Sequence, residues 1–165
     1  MAWYALYTRP RHEKKVYDQL VEKGVETFLP TVRTLRQWKD RRKWVEMPLF
    51  NSYVFINIEL KNRIYALQTH GVVRLVGFGG VPATIPDWQI EQLRRVVQFP
   101  ETLQLEQYLK KGDFVEITEG PMKGIKGYLR EFPGETRVAI LIEGIYQSAS
   151  FVVQKQFVKK IENEE

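Results

Sequence analysis

The sequence predicts an α+β protein in two parts: an N-terminal antiparallel sheet with packed helices, then a small five-stranded β-barrel. Three observations point there. Residues 1–98 alternate strand-like runs with stretches of helical apolar spacing. Past Lys111 only short runs with strand character remain, at 113–118, 125–131, 136–142, 148–153 and 157–161, and five such strands in about 50 residues fit a small closed barrel. Between the two parts, 99–110 holds the helix breaker Pro100 and is polar enough for a linker, although Leu103, Leu105 and Leu109 suit a short packed segment equally well. The expected division is therefore 1–98, 99–110 and 111–165.

Trp3–Thr8 reads as a strand with apolar residues on both faces. Pro10–Lys23 reads as a helix carrying Val16, Tyr17, Leu20 and Val21 on one side, and Gly24 ends it. Val25–Leu35 is extended and interrupted at Pro30. Residues 35–38 and 43–46 can pair as hairpin arms across Lys39–Arg42. Ser52–Ile58 is a strong strand, Asn62–Thr69 a short helix stopped by Gly71, and Val72–Val76 another strand. Gly77–Pro82 is a turn; it resembles a phosphate loop only superficially, because no helix opens after it. Pro86 suits a helix start, and Ile90, Leu93 and Val97 give that helix its apolar stripe. In the C-terminal part, Gly120-Pro121 and Gly124 supply turn geometry between strands, and Gly127 marks a bend inside one.

An apolar content of 44% with 27% charged residues is that of a globular chain. No apolar run approaches the roughly 20 residues of a membrane span, and the N-terminus has no export-signal pattern. With no cysteine, disulfides and thiolate metal sites are excluded and a cytoplasmic address is expected. The net charge of +5 is unevenly placed: residues 110–165 carry nine basic and nine acidic residues, whereas Arg33–Lys43 alone holds six basic residues and one acid. Arg36, Lys39, Arg41, Arg42 and Lys43 in that segment suggest a polyanion partner, with a solvated basic loop as the alternative.

Catalytic patterns are missing. His12 and His70 are the only histidines and do not form a zinc helix, no serine sits in a nucleophile elbow, and the Glu13 and Asp18 pair reads as solvated helix charge. No enzyme, cofactor or metal is expected. Strand alternation is more revealing: Val54, Ile56 and Ile58 form a core set, while Tyr53 and Phe55 point the other way, as does Tyr7 on the first strand. If helices cover one face only, Tyr7, Tyr53 and Phe55 share the open side, with Phe78 near its rim, and exposed aromatics of this kind mark partner surfaces. Burial of both faces is the alternative.

Five stretches in order carry a resemblance: Trp3–Tyr7, Met47–Phe55, Gly71–Phe78, Ile85-Pro86 and the run from Gly112 to Gly127, which is similar to a KOW motif. Together they resemble the NusG family of transcription elongation factors, with an NGN domain, a linker and an SH3-like KOW barrel. The 35–38 and 44–46 arms look most like specialised paralogues of the UpxY type, operon-specific antiterminators, and RfaH is similar. The resemblance implies a monomer that binds the clamp helices of the largest bacterial RNA polymerase subunit through Tyr7, Tyr53, Phe55 and Phe78, suppressing pausing and termination. It implies contact with non-template DNA or nascent RNA at Arg9, Thr69 and His70, in addition to the basic segment. Asn62-Arg63-Ile64 stands where RfaH has a His-Thr-Thr motif for a second polymerase element, a departure from the pattern. Ile145, with its neighbour Tyr146, matches a KOW position that family members use for a ribosomal protein or Rho. Unlike RfaH, whose C-terminal domain refolds between helices and barrel, the strand-rich 138–142 and 151–153 imply a permanent barrel. A ribosome-associated or RNA-binding KOW protein, and a general elongation factor, are the competing readings.

Overall fold

The computed structural model describes residues 1–163, so the last two positions of the expected 111–165 domain lie outside the described residues. Chain order in the N-terminal part is β1 (Ala2–Thr8), α1 (Glu13–Glu22), β2 (Glu26–Phe28), β3 (Thr31–Trp38), β4 (Arg41–Pro48), β5 (Tyr53–Ile58), α2 (Arg63–Leu67), β6 (Val72–Leu75), β7 (Gly77–Phe78), β8 (Val81–Pro82) and α3 (Asp87–Val96). Four strands make an antiparallel sheet in the order β2-β5-β1-β6. Alternation then sorts their side chains. Tyr4, Leu6, Val54, Ile56 and Ile58 form one buried cluster with Val16 and Leu20 of α1 and Ala66 of α2, so the two helices cover this face, as the apolar spacing requires.

Helix α1 begins at Glu13, later than the sequence suggests, because Pro10 and Arg11 form a turn in which Arg11 takes a positive φ. Glu13 itself is buried, a correction to its reading as a solvated charge; Asp18 is exposed and pairs with Lys14 at 3.1 Å. A Glu13 carboxylate oxygen accepts the Ser52 backbone N–H at 3.0 Å. Ser52 sits at φ 69°, a conformation that costs an L-residue energy. The charge-assisted bond from α1 satisfies that strained turn and aims β5 into the sheet.

The turn at Gly79-Gly80 joins β7 to β8 with both central residues at positive φ, as a two-residue hairpin requires. The chain separates into two compact units, Met1–Ile90 and Glu91–Glu165.

The second unit contains β9 (Gln104–Glu106), β10 (Phe114–Ile117), β11 (Lys126–Phe132), β12 (Glu135–Ile142), β13 (Gln147–Val152) and β14 (Val158–Lys160). They form one antiparallel sheet in the order β14-β10-β11-β12-β13-β9. Val115, Ile117, Ile125, Val138, Ile140, Ile142, Ala149 and Phe151 supply its buried apolar side chains. The stretch read as linker is therefore partly structural: β9 is an edge strand on β13. A polar network fastens it. Buried Arg137 donates to the Ser150 hydroxyl at 2.9 Å and to the Thr102 carbonyl, and the Ser150 hydroxyl donates to Glu106 at 3.0 Å. These bonds compensate the guanidinium for lost water, which is otherwise expensive. Among the described residues no helix is long and apolar enough to cross a membrane.

At Gly127 the chain runs tightly against β12: an added Cβ would lie 2.4 Å from the Ala139 carbonyl oxygen and 2.9 Å from a Val138 methyl. Gly127→Ala should cost the second unit about 1–3 kcal/mol through overpacking, read as a lower midpoint in urea unfolding of the full chain. An unchanged midpoint would show that the strands separate without penalty.

Candidate functional site

The face of the first sheet opposite α1 and α2 is fixed by register. Tyr7 pairs with Tyr53, Ala5 with Phe55 and Trp3 with Asn57 across β1 and β5, and Phe28 of β2 pairs with Phe55. All these side chains therefore share one side. The face is not uniformly open. Trp3, Ala5 and Phe55 are buried, Phe55 completely. Phe28 stacks on Phe55 with ring centroids 6.1 Å apart. This corrects the expectation of an open ring at Phe55: alternation names the face but not how much of it a neighbouring strand covers. Tyr7 and Tyr53 remain half-buried and meet edge-on at 5.6 Å. Arg74, opposite Tyr7 on β6, lies 5.2 Å from the Tyr7 ring centre. Sequence reasoning missed Arg74 and Phe28; both were readable only once the strand neighbours were known. Phe78 is exposed and stands on the small β7–β8 hairpin.

The second feature is the β3–β4 ribbon. Its arms pair from Thr31 with Pro48 to Trp38 with Arg41, longer than the hairpin the sequence suggests. Residues 33–44 are exposed on both sides. Among the described residues, none of Arg33, Arg36, Lys39, Arg41, Arg42 and Lys43 forms an ion pair, so their charge faces solvent.

The third group is brought together by backbone pairing. The Arg9 N–H donates to the Gly71 carbonyl at 2.9 Å, which sets Arg9 beside the 69–71 turn. His70 is exposed and its ring meets His12 at 5.9 Å. Thr69 differs from expectation: it is buried, and its hydroxyl accepts from Lys23 at 2.9 Å, so it faces inward and not toward a nucleic acid. In the second unit, Ile145 is also buried and belongs to the core, whereas Tyr146 is exposed at φ 52° and packs edge-on against Tyr108 at 5.4 Å. An exposed partner contact there would involve the tyrosine pair and not Ile145.

A half-open aromatic face on a four-stranded antiparallel sheet, a projecting basic ribbon and a β-rich second unit are thus joined in one chain. The family model described as "Transcription termination factor nusG" matches residues 1–94, more than half of the sequence. The chain belongs to the NusG family. It is 22% identical over 168 aligned positions to the transcription termination/antitermination protein NusG of Deinococcus radiodurans, covering 85% of this chain and 88% of that one. The solved structure of Thermotoga maritima NusG is similar across 98% of this chain and 97% of that one, with a TM-score of 0.56 and 24% identity, a likeness of fold. The NusG match spans the aromatic face, the 69–71 turn and the whole ribbon, and it makes this a NusG-like transcription factor.

If the ribbon of this NusG-family chain neutralises three phosphates, the logarithm of its affinity for nucleic acid should fall against log salt with a slope of about −3. Replacing Arg41, Arg42 and Lys43 by Ser should flatten the slope toward zero in a salt titration. A parental slope in the triple variant would assign the cations to solvent alone.

Proposed function

We propose that the chain acts on bacterial RNA polymerase as a transcription elongation and antitermination factor of the specialised, operon-specific kind. The observation that carries the reading is the Tyr7–Tyr53 pair, left half-open with Arg74 beside it on the face of the sheet opposite α1 and α2. Two edge-packed rings with a rim cation suit a hot spot: large apolar area, little rotamer freedom to lose, and a charge at the border. The partner is the pair of clamp helices on the largest polymerase subunit. A helical pair presents an apolar ridge that such a hollow can seat.

The mechanism needs no covalent step. Docking of the first unit on the clamp, with the ribbon on non-template DNA or nascent RNA, ties the clamp to the nucleic acid. Bridging of this sort disfavours clamp opening, and pausing and termination become less frequent. The chain works as a cytoplasmic monomer, and the Tyr108–Tyr146 pair offers the second unit a contact for a ribosomal protein or Rho. The long ribbon supports the specialised reading over the general one, because it adds a nucleic-acid surface to the polymerase-docking face.

Tyr53→Ala and Tyr7→Ala should each weaken polymerase binding by about 2 kcal/mol, or roughly thirtyfold, measured by titration of purified polymerase, with thermal stability near that of the parent. Phe55→Ala is unsuitable as a docking probe, because emptying a fully buried ring site should cost about 3–5 kcal/mol of stability. Parental polymerase affinity in both tyrosine variants would remove the docking face.

A further inference from the structure

Two of the chain's four tryptophans are spent on the ribbon tip, where the fold has no use for them. Trp38 is 54% exposed and Trp44 57% exposed. Register places them on opposite faces. Trp44 shares its face with Leu35, directly across, and with Arg33 and Arg42; Trp38 shares the other with Arg41, directly across, and with Arg36 and Lys43. The Arg33 guanidinium lies 5.4 Å from the Trp44 ring centre. Each face of the ribbon therefore presents one flat indole among cations, and neither face is covered.

Three partners could use such a surface. A protein interface concentrates apolar groups at its centre and keeps charge to the rim, but here the cations are interleaved with the rings. A duplex takes a two-stranded ribbon in its major groove with one face toward the base edges. An indole offers a single N–H donor and no acceptor for reading edges, and the second tryptophan would point away from the groove. An unpaired strand uses both features, since its phosphates meet the cations and each base has a π-face to lay on an indole.

Resting on the reading that the ribbon supplies polyanion affinity, we infer that the β3–β4 ribbon is a stacking platform for single-stranded nucleic acid, with Trp38 and Trp44 each holding one unpaired base. The cations set the salt dependence of binding, and the rings set the preference for unpaired over paired strands.

The test uses the full chain and three fluorescein-labelled probes: oligo(dT), oligo(rU) and a mixed-sequence duplex of equal length, followed by fluorescence anisotropy across a salt series. Trp38→Ala and Trp44→Ala should each lower single-strand affinity about tenfold with the salt slope unchanged, while duplex affinity stays within about twofold. Trp→Phe at the same positions should restore most of the loss. The single strand on which the loss is greater, DNA or RNA, identifies the natural source. Unchanged single-strand affinity in both alanine variants, or an equal loss on the duplex, overturns the stacking platform and leaves the charge reading standing. A parent that shows no salt-dependent binding to any probe removes both.

Discussion

The antiparallel register between β1 and β5 is the constraint on which the first unit depends. With Tyr7 opposite Tyr53 and Tyr4 opposite Ile56, every odd position of β1 falls on one side and every even position on the other. A slip by one residue would carry the tyrosine pair into the helices and the aliphatic set into water. Register is protected from two directions. The aliphatic face is fully committed to α1 and α2, so any slip exposes Leu6, Val54 and Ile56. The loop before β5 is held by Glu13, whose carboxylate pins the strained Ser52. A buried acid on a helix thus fixes where the functional strand begins, and the position of Tyr53 follows one residue later.

Closure of the aromatic face is graded along the strands. At the Trp3–Phe55 end the rings are buried and act as core, which stiffens the sheet; at the Tyr7–Tyr53 end they stay half-open. Such a gradient keeps a sticky patch small. A fully open face would expose five large aromatic side chains and invite self-association, whereas two half-buried tyrosines present only part of that area. Rigid rings held by a buried neighbour also lose less entropy on docking than mobile ones.

Most of the architecture was legible in the sequence because it rests on short-range patterns. The helices around Val16–Leu20 and Ile90–Leu93, the strands between Phe114 and Lys160 and the Gly79-Gly80 turn all follow from local periodicity and turn chemistry. The misread positions depend on what packs from elsewhere in the chain. Phe55 is covered by Phe28, 27 residues earlier in the chain; Thr69 turns inward to meet Lys23; Ile145 sits in the second core and not at its surface. The 99–110 stretch is polar because Gln104 and Glu106 lie on an edge strand, and its role depends on Ser150 and Arg137 of distant strands. A single sequence reports which face a residue takes, but the neighbour that closes the face is a tertiary fact.

The ribbon and the proposed docking face differ in the physics they use. Affinity from the exposed cations of the ribbon is screened by salt and falls off over a Debye length of about 8 Å at physiological ionic strength; affinity from half-buried rings is nearly salt-independent. A chain holding both can be drawn toward nucleic acid over some distance by the ribbon without being committed to it, then held on a protein partner by the rings. Joining the two in one unit multiplies them, since the first contact raises the effective concentration for the second. Neither needs to be strong alone. On the proposed reading, weak, salt-sensitive attraction at the ribbon combined with a small aromatic patch would select for the place where unpaired nucleic acid and the protein partner occur together.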